Sequence, residues 1–276
     1  MAKLYMLSST TDTIHTAFVL QSGKTVIAVD GGFPPEAEHL HRVLLQLGGK
    51  VDAWFLTHAH DDHISALFTM LQQYQDIQVG KVYCGFPPDE YLCAWQPRQR
   101  MLSTQELLDT MRGTLKMRNI PLIAVEKGNC YAFDGFCVRV LRTPDASITY
   151  NAVNNSSCVY RVEMEKTGES ILFLGDLGVE GGHQLLESTD PALLRADYVQ
   201  MAHHGQRGVS RQVYEAIHPR FCLWCTPSWL WDNVGPGGKN TGHYQTPEVR
   251  GWMDSLGSVE KHYRMTDGDQ IIELDR

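Results

Sequence analysis

Short apolar blocks alternate with polar, glycine- and proline-rich stretches, and the spacing within the blocks switches between strand-like and helix-like. Residues 3–8, 16–20 and 25–29 predict strands, the last two joined by a hairpin turn at Gln21-Ser22-Gly23-Lys24. Pro34-Pro35 blocks continuation. From Glu36 to Leu47, the residues Ala37, Leu40, Val43, Leu44 and Leu47 share one helical face, with His39 and His41 off that stripe as solvated positions. Val51 to Leu56 predicts a buried strand, Ile64 to Leu71 a helix, and Gly80 to Cys84 a further strand. Residues 85–102 carry Pro87, Pro88, Pro97 and a local basic patch, Arg98 and Arg100, and read as an irregular surface insertion. A helix is predicted from Ser103, as cap, to Arg118, with Glu106 at the box position. Strands follow at 121–125, 131–133, 136–141, 157–163, 170–174, 197–201, 221–225, 261–265 and 270–274, with a helix from Pro247 to Leu256. The order predicts an α/β protein of two similar halves packed sheet to sheet, with helices outside. No linker or repeat interrupts it, so one domain over residues 1–276 is expected.

Composition narrows the class. With 276 residues and 43% hydrophobic positions the chain has ample material for a core. No apolar run reaches the length that spans a bilayer, and Leu4 to Leu7 is too short for a signal segment, so a cytoplasmic protein without membrane contact is expected. The net charge of -8 argues against a long nucleic acid as substrate, which needs clustered Lys and Arg. The seven cysteines show no paired metal-binding pattern, and Cys222-Leu223-Trp224-Cys225 reads as buried free thiols.

Candidate chemistry concentrates in Thr57-His58-Ala59-His60-Asp61-Asp62-His63, between the strand ending at Leu56 and the helix from Ile64. His58 and His60 are two apart and point the same way on an extended chain, while Asp62 and His63 follow the turn. Imidazole nitrogen and carboxylate oxygen are the usual ligands of zinc, iron or manganese. Asp176 ends the strand Ile171-Leu172-Phe173-Leu174-Gly175, where a carboxylate is well placed to bridge two ions. His203 and His204 end the next. Neighbours on an extended chain face opposite ways, so one of them is expected to ligate: His204, with His203 left to touch substrate or support the ligands, or the reverse.

The pattern H-x-H-x-D-H over His58 to His63 resembles the signature of the metallo-β-lactamase fold superfamily. Phe173-Leu174-Gly175-Asp176 and Ala202-His203-His204-Gly205 are similar to its later segments. Asn154-Asn155-Ser156-Ser157 and Asn240-Thr241-Gly242-His243 resemble the metallo-hydrolase domain of ComEC-type DNA-uptake proteins and phosphorylcholine esterase. The resemblance implies a four-layer αβ/βα sandwich of two mixed β-sheets with helices on the outer faces. It implies one metal group of His58, His60 and Asp176 with Asn155 near it, and a second of Asp62, His63, Asp176 and His204. Asp30 would support the histidine loop from behind. No histidine lies between His63 and Asp176, where most of the superfamily supplies a third imidazole, so zinc, manganese and iron all stay open.

The chemistry so implied is hydrolysis by a hydroxide shared between two divalent ions, with Asp62, His203 and His243 as candidate catalytic residues. The leading expectation is a phosphodiester substrate that is small or short. A carbonyl hydrolase (lactone, thioester or β-lactam) and a non-catalytic metal-binding module are the alternatives. Trp224, Trp229, Trp231 and Tyr244 surround the His243 loop as an aromatic wall or as core. His15, His183, His218 and His262 are assigned no role, and the oligomeric state stays open.

Overall fold

The computed structural model describes residues 2–95 and 103–274, so the Arg98 and Arg100 patch lies outside the described residues. In chain order the strands are β1 Ala2–Met6, β2 Ala17–Ser22, β3 Thr25–Asp30, β4 Lys50–Val51, β5 Ala53–Leu56, β6 Gln78–Val79, β7 Val82–Cys84 and β8 Leu122–Ala124. They continue as β9 Cys130–Phe133, β10 Phe136–Arg142, β11 Val159–Met164, β12 Ser170–Phe173, β13 Tyr198–Gln200, β14 Phe221–Trp224, β15 Lys261–Arg264 and β16 Gln270–Glu273.

One seven-stranded sheet runs β16-β1-β2-β3-β5-β7-β8 and the other β15-β14-β13-β12-β11-β10-β9. Each sheet has an antiparallel half and a parallel half. The direction changes at β3 in the first and at β12 in the second. Parallel strands need crossovers, and the helices Ala37–Gln46, Asp61–Gln73 and Val179–Ser188 supply three of them. The sheets face each other across a shared core in which Phe18 meets Phe173 with ring centroids 5.0 Å apart and Phe55 meets Tyr160 at 5.3 Å. Burying each ring contributes about 1.5–3 kcal/mol. Two further apolar clusters lie between each sheet and its own helices. The layering is therefore helix, sheet, sheet, helix, as the alternation of blocks predicts.

Two local differences bear on function. The expected strand from Val51 to Leu56 is broken at Asp52, whose carboxylate accepts from Val26 N at 3.0 Å, so Val51 pairs in a small separate sheet with β6. The helix after it begins at Asp61, not Ile64, because His60 is extended (φ -103°) and Asp61 and Asp62 occupy the first turn, where carboxylates answer the helix dipole. His39 and His41 are not solvated. His39 pairs with Asp269 at 2.9 Å, and His41 stacks on Tyr74 at 3.7 Å and bonds Asp76 at 2.8 Å.

Candidate metal centre

Asp30 and the His/Asp cluster all sit at or just beyond the carboxyl ends of parallel strands. Asp30 ends β3, Thr57 to His63 follow β5, Asp176 follows β12, and His203 and His204 follow β13. Side chains there project into a crevice that helix packing leaves open, the general location of sites in open α/β sheets. Two cross-sheet bonds bring the ends together, Cys158 N to Thr57 O at 2.8 Å and Tyr160 Oη to Leu56 O at 2.8 Å.

Asp62, His63, Asp176 and His204 form one group, and His58, His60 and Asp176 a second. Within each, one nitrogen or oxygen per residue lies within 4.8 Å of all the others. Asp176 belongs to both. Its Oδ1 is 3.0 Å from His63 Nε2, and its Oδ2 is 3.5 Å from His204 Nε2 and 3.8 Å from His58 Nε2. His204 Nε2 is 2.9 Å from Asp62 Oδ2, and His58 Nε2 is 2.9 Å from His60 Nδ1. The side chains of His58, Asp62, His63, Asp176 and His204 are all nearly inaccessible to solvent.

The outer nitrogens of the imidazoles are spoken for. His63 Nδ1 donates to Asp30 Oδ2 at 2.7 Å, and that carboxylate also accepts from Thr57 N at 2.8 Å and Thr57 Oγ1 at 2.7 Å. His204 Nδ1 donates to the Cys225 carbonyl at 3.1 Å. With Nδ1 so engaged, Nε2 is the atom each ring turns toward Asp176, and it is the Nε2 lone pair that a bound cation would take.

Electrostatics suit a cation. Burial would raise the carboxyl of Asp176, but the adjacent His63, His204 and His203 hold it well below its usual range. Burial acts the same way on Asp62 and is outweighed by its bond with His204 and the charge on His63. Burial together with His63 and His60 keeps His58 well below the ordinary imidazole value, hence neutral with a lone pair to give. Burial opposes charge on His204, yet Asp176 and Asp62 raise it to about 9. Two buried, ionised carboxylates thus draw positive charge into this space. His63 Nε2 and Asp176 Oδ1, buried 3.0 Å apart, are not aligned to hydrogen-bond each other. Divalent ions fit this donor set of imidazole nitrogen and carboxylate oxygen.

The His203-His204 pair is reached by a turn that the sequence does not announce. The chain is not extended there. Both residues are left-handed, with φ of 53° and 57°, and Gly205 follows at +75°. His204 enters the cluster, and His203 Nε2 sits at its edge, 3.9 Å from Asp176 Oδ2. Only glycine suits position 205, because a Cβ would lie 2.4 Å from the Trp224 ring. Gly205→Ala should therefore cost about 2–4 kcal/mol from strain and overpacking, read as a lowered denaturant midpoint.

Asn155 is committed elsewhere. Its Oδ1 accepts from Gly178 N and Gly181 N at 3.1 and 2.9 Å, and its Nδ2 donates to Tyr150 O and Glu180 Oε2 at 2.9 and 3.0 Å. It braces the turn after Asp176 and offers no atom to an ion. Its neighbour Asn154 is the amide facing the site, with Nδ2 3.2 Å from His203 Nε2 and Oδ1 buried without a partner among the described residues. His243 is exposed and lies tilted against Tyr244 with ring centroids 4.5 Å apart, and no bond or ion pair among the described residues ties it to the cluster. The aromatic wall divides. Trp224 and Trp231 pack edge-on at 5.2 Å in the outer core, whereas Trp229 meets Tyr244 at 5.3 Å. Cys222 and Cys225 face different cores, and burial pushes the Cys222 thiol up to about 12.

His15 is the residue sequence reading missed. It is buried against Gly32, where a Cβ would meet its ring at 1.9 Å, and burial lowers its pKa to about 4. Thr16 beside it bonds Asp62 O through its backbone N–H at 3.2 Å. A lone histidine after a Ser/Thr-rich loop carries no signal of this in the sequence.

Comparison with known proteins agrees with this geometry. The fold is a metallo-β-lactamase fold. A model of the metallo-beta-lactamase superfamily matches residues 10–83, the part that carries Asp30 and the His58 to His63 loop. The metallo-beta-lactamase fold protein YhfI from Bacillus subtilis superposes with a TM-score of 0.57 at 14% identity, covering 99% of this chain and 100% of that one. Yeast PDE1 does so at 0.54 and 12%, covering 95% and 97%. The β-hydroxylase CmlA superposes at 0.57 and 12%, with 99% of this chain on 54% of that one. No curated protein sequence matches significantly. A metallo-β-lactamase fold with a buried His/Asp cluster at the strand ends is thus established, and no helix among the described residues is long and apolar enough to cross a membrane.

Proposed function

We propose that the chain is a hydrolase of phosphodiester bonds that uses two divalent ions, held by His58, His60 and Asp176 and by Asp62, His63, Asp176 and His204. Divalent ions in this position supply an activated water and Lewis-acid stabilisation of charge on the substrate. The observation that carries the reading is donor count. The second group offers four side-chain donors and the first only three, because Asn155 is fully engaged in bracing its turn. A group with three side-chain donors would leave an ion positions open for water and for substrate oxygen. A phosphodiester presents two non-bridging oxygens, a carbonyl only one.

The chain's own groups supply the rest. His203 donates its Nδ1 proton to the Arg207 carbonyl at 2.8 Å, so Nε2 is the atom it turns to the cluster edge and toward substrate. Asn154, 3.2 Å away, steadies that ring. The resemblance of Asn154 to Ser157 and Asn240 to His243 to phosphodiester-cleaving relatives favours the same substrate. Fold alone does not decide, since the neighbours include a β-hydroxylase. Bis-p-nitrophenyl phosphate should be hydrolysed with manganese or zinc present. Turnover of esters or lactones with none of this diester would transfer the assignment to carbonyl hydrolysis.

A further inference from the structure

One cavity opens beside His203, and a second adjoins it. The first, about 320 Å³, has Asn151, Glu180, His203 and Arg207 on its wall. The second, about 310 Å³, includes Ser210, Arg211 and Gln245. Val179, Arg207 and Gly208 line both, so the two meet at Arg207. Of the other charged side chains along this path, Glu180 and Arg211 are engaged. Glu180 accepts from Asn155 Nδ2 at 3.0 Å, and Arg211 pairs with Glu215 at 2.7 Å. Glu248 adds a negative charge to the far cavity. Arg207 has no ion-pair partner among the described residues and is exposed. Its backbone is nonetheless fixed to the site, because His203 Nδ1 donates to its carbonyl and Gln206 N bonds His203 O at 3.1 Å. In the far cavity Ser210 Oγ is buried with no partner among the described residues.

We propose that the two cavities form one substrate groove in which Arg207 binds a second anionic group, a phosphate carried by the substrate beyond the scissile diester. This rests on the phosphodiester reading and adds to it the substrate class: short phosphorylated diesters, with the scissile diester at the cluster and the second phosphate at Arg207. A guanidinium presents paired donors that match phosphate geometry, and an unpaired one has most to gain from an anion. The groove is short and, among the described residues, carries one cation without an ion-pair partner, which fits a small polyanion and not a long one.

The test measures binding of thymidine 3′,5′-bisphosphate and thymidine 5′-monophosphate to the metal-loaded full chain by calorimetry, alongside Arg207→Ala. The bisphosphate should bind roughly tenfold or more tighter than the monophosphate, and Arg207→Ala should remove that preference while leaving monophosphate binding and metal content unchanged. Arg207→Lys should keep part of it. Equal affinities in the unaltered chain, or a preference that survives Arg207→Ala, would overturn the proposal. The preference without any turnover of bis-p-nitrophenyl phosphate would sink the phosphodiesterase reading and leave the anion groove standing.

Discussion

Asp176→Ala should abolish hydrolysis, by on the order of 10³-fold or more, while leaving the chain folded. Asp176 is the one residue shared by both donor groups, and its two oxygens reach His63, His204 and His58 at 3.0, 3.5 and 3.8 Å. Removing it leaves two imidazoles in one group and three donors in the other. It also removes the charge that, against burial, raises His204 to about 9. Losing ion-based stabilisation of the reacting oxygens forfeits several kcal/mol, and each 1.36 kcal/mol is tenfold in rate. Folding should survive because the local structure uses the backbone of residue 176, whose N–H donates to Ser157 Oγ at 3.0 Å, and not its carboxylate. An unchanged circular dichroism spectrum with lost turnover is the expected pair of results, and a variant retaining full activity contradicts the bridging role.

Asp30→Asn should lower affinity for the ion at the second group by about 10–100-fold and reduce activity to match. The substitution keeps the shape, and asparagine tolerates the left-handed φ of 53° at this position. What changes is the hydrogen-bond sense. Asp30 Oδ2 accepts from both Thr57 Oγ1 and His63 Nδ1, at 2.7 Å each. An amide placed there either presents an N–H to His63 or leaves Thr57 unsatisfied. In the first arrangement His63 turns its lone pair outward and its proton toward Asp176, where an ion needs the lone pair. Titration with manganese or zinc, compared between the two proteins, reads the effect directly. Equal affinities would show that Asp30 braces the loop without setting the tautomer.

Much of this was legible in the sequence, for physical reasons that differ between segments. Strand and helix blocks were readable because burial imposes a period on them, and most observed strands fall within a residue or two of the expected ones. The cluster residues His58 to His63 and Asp176 stood out because several metal-binding side chains follow apolar strands. The choice between Asn154 and Asn155 was not legible. Both are buried amides, and only the third-dimensional neighbours Gly178, Gly181 and His203 tell brace from site residue. The His203-His204 turn was equally hidden. An extended pair and a left-handed pair have the same letters, and the clash that keeps position 205 glycine comes from Trp224 in a different strand. His15 acquired its place only because a long loop returns it to Gly32.

The account stands on two ion sites joined by one carboxylate, and metal content measured on protein purified without chelator tests this most directly. Mass-spectrometric metal analysis should find about two divalent ions per chain in the unaltered protein and far fewer in Asp176→Ala. Two ions retained by that variant, or fewer than one per chain in the parent after incubation with manganese and zinc, would contradict it.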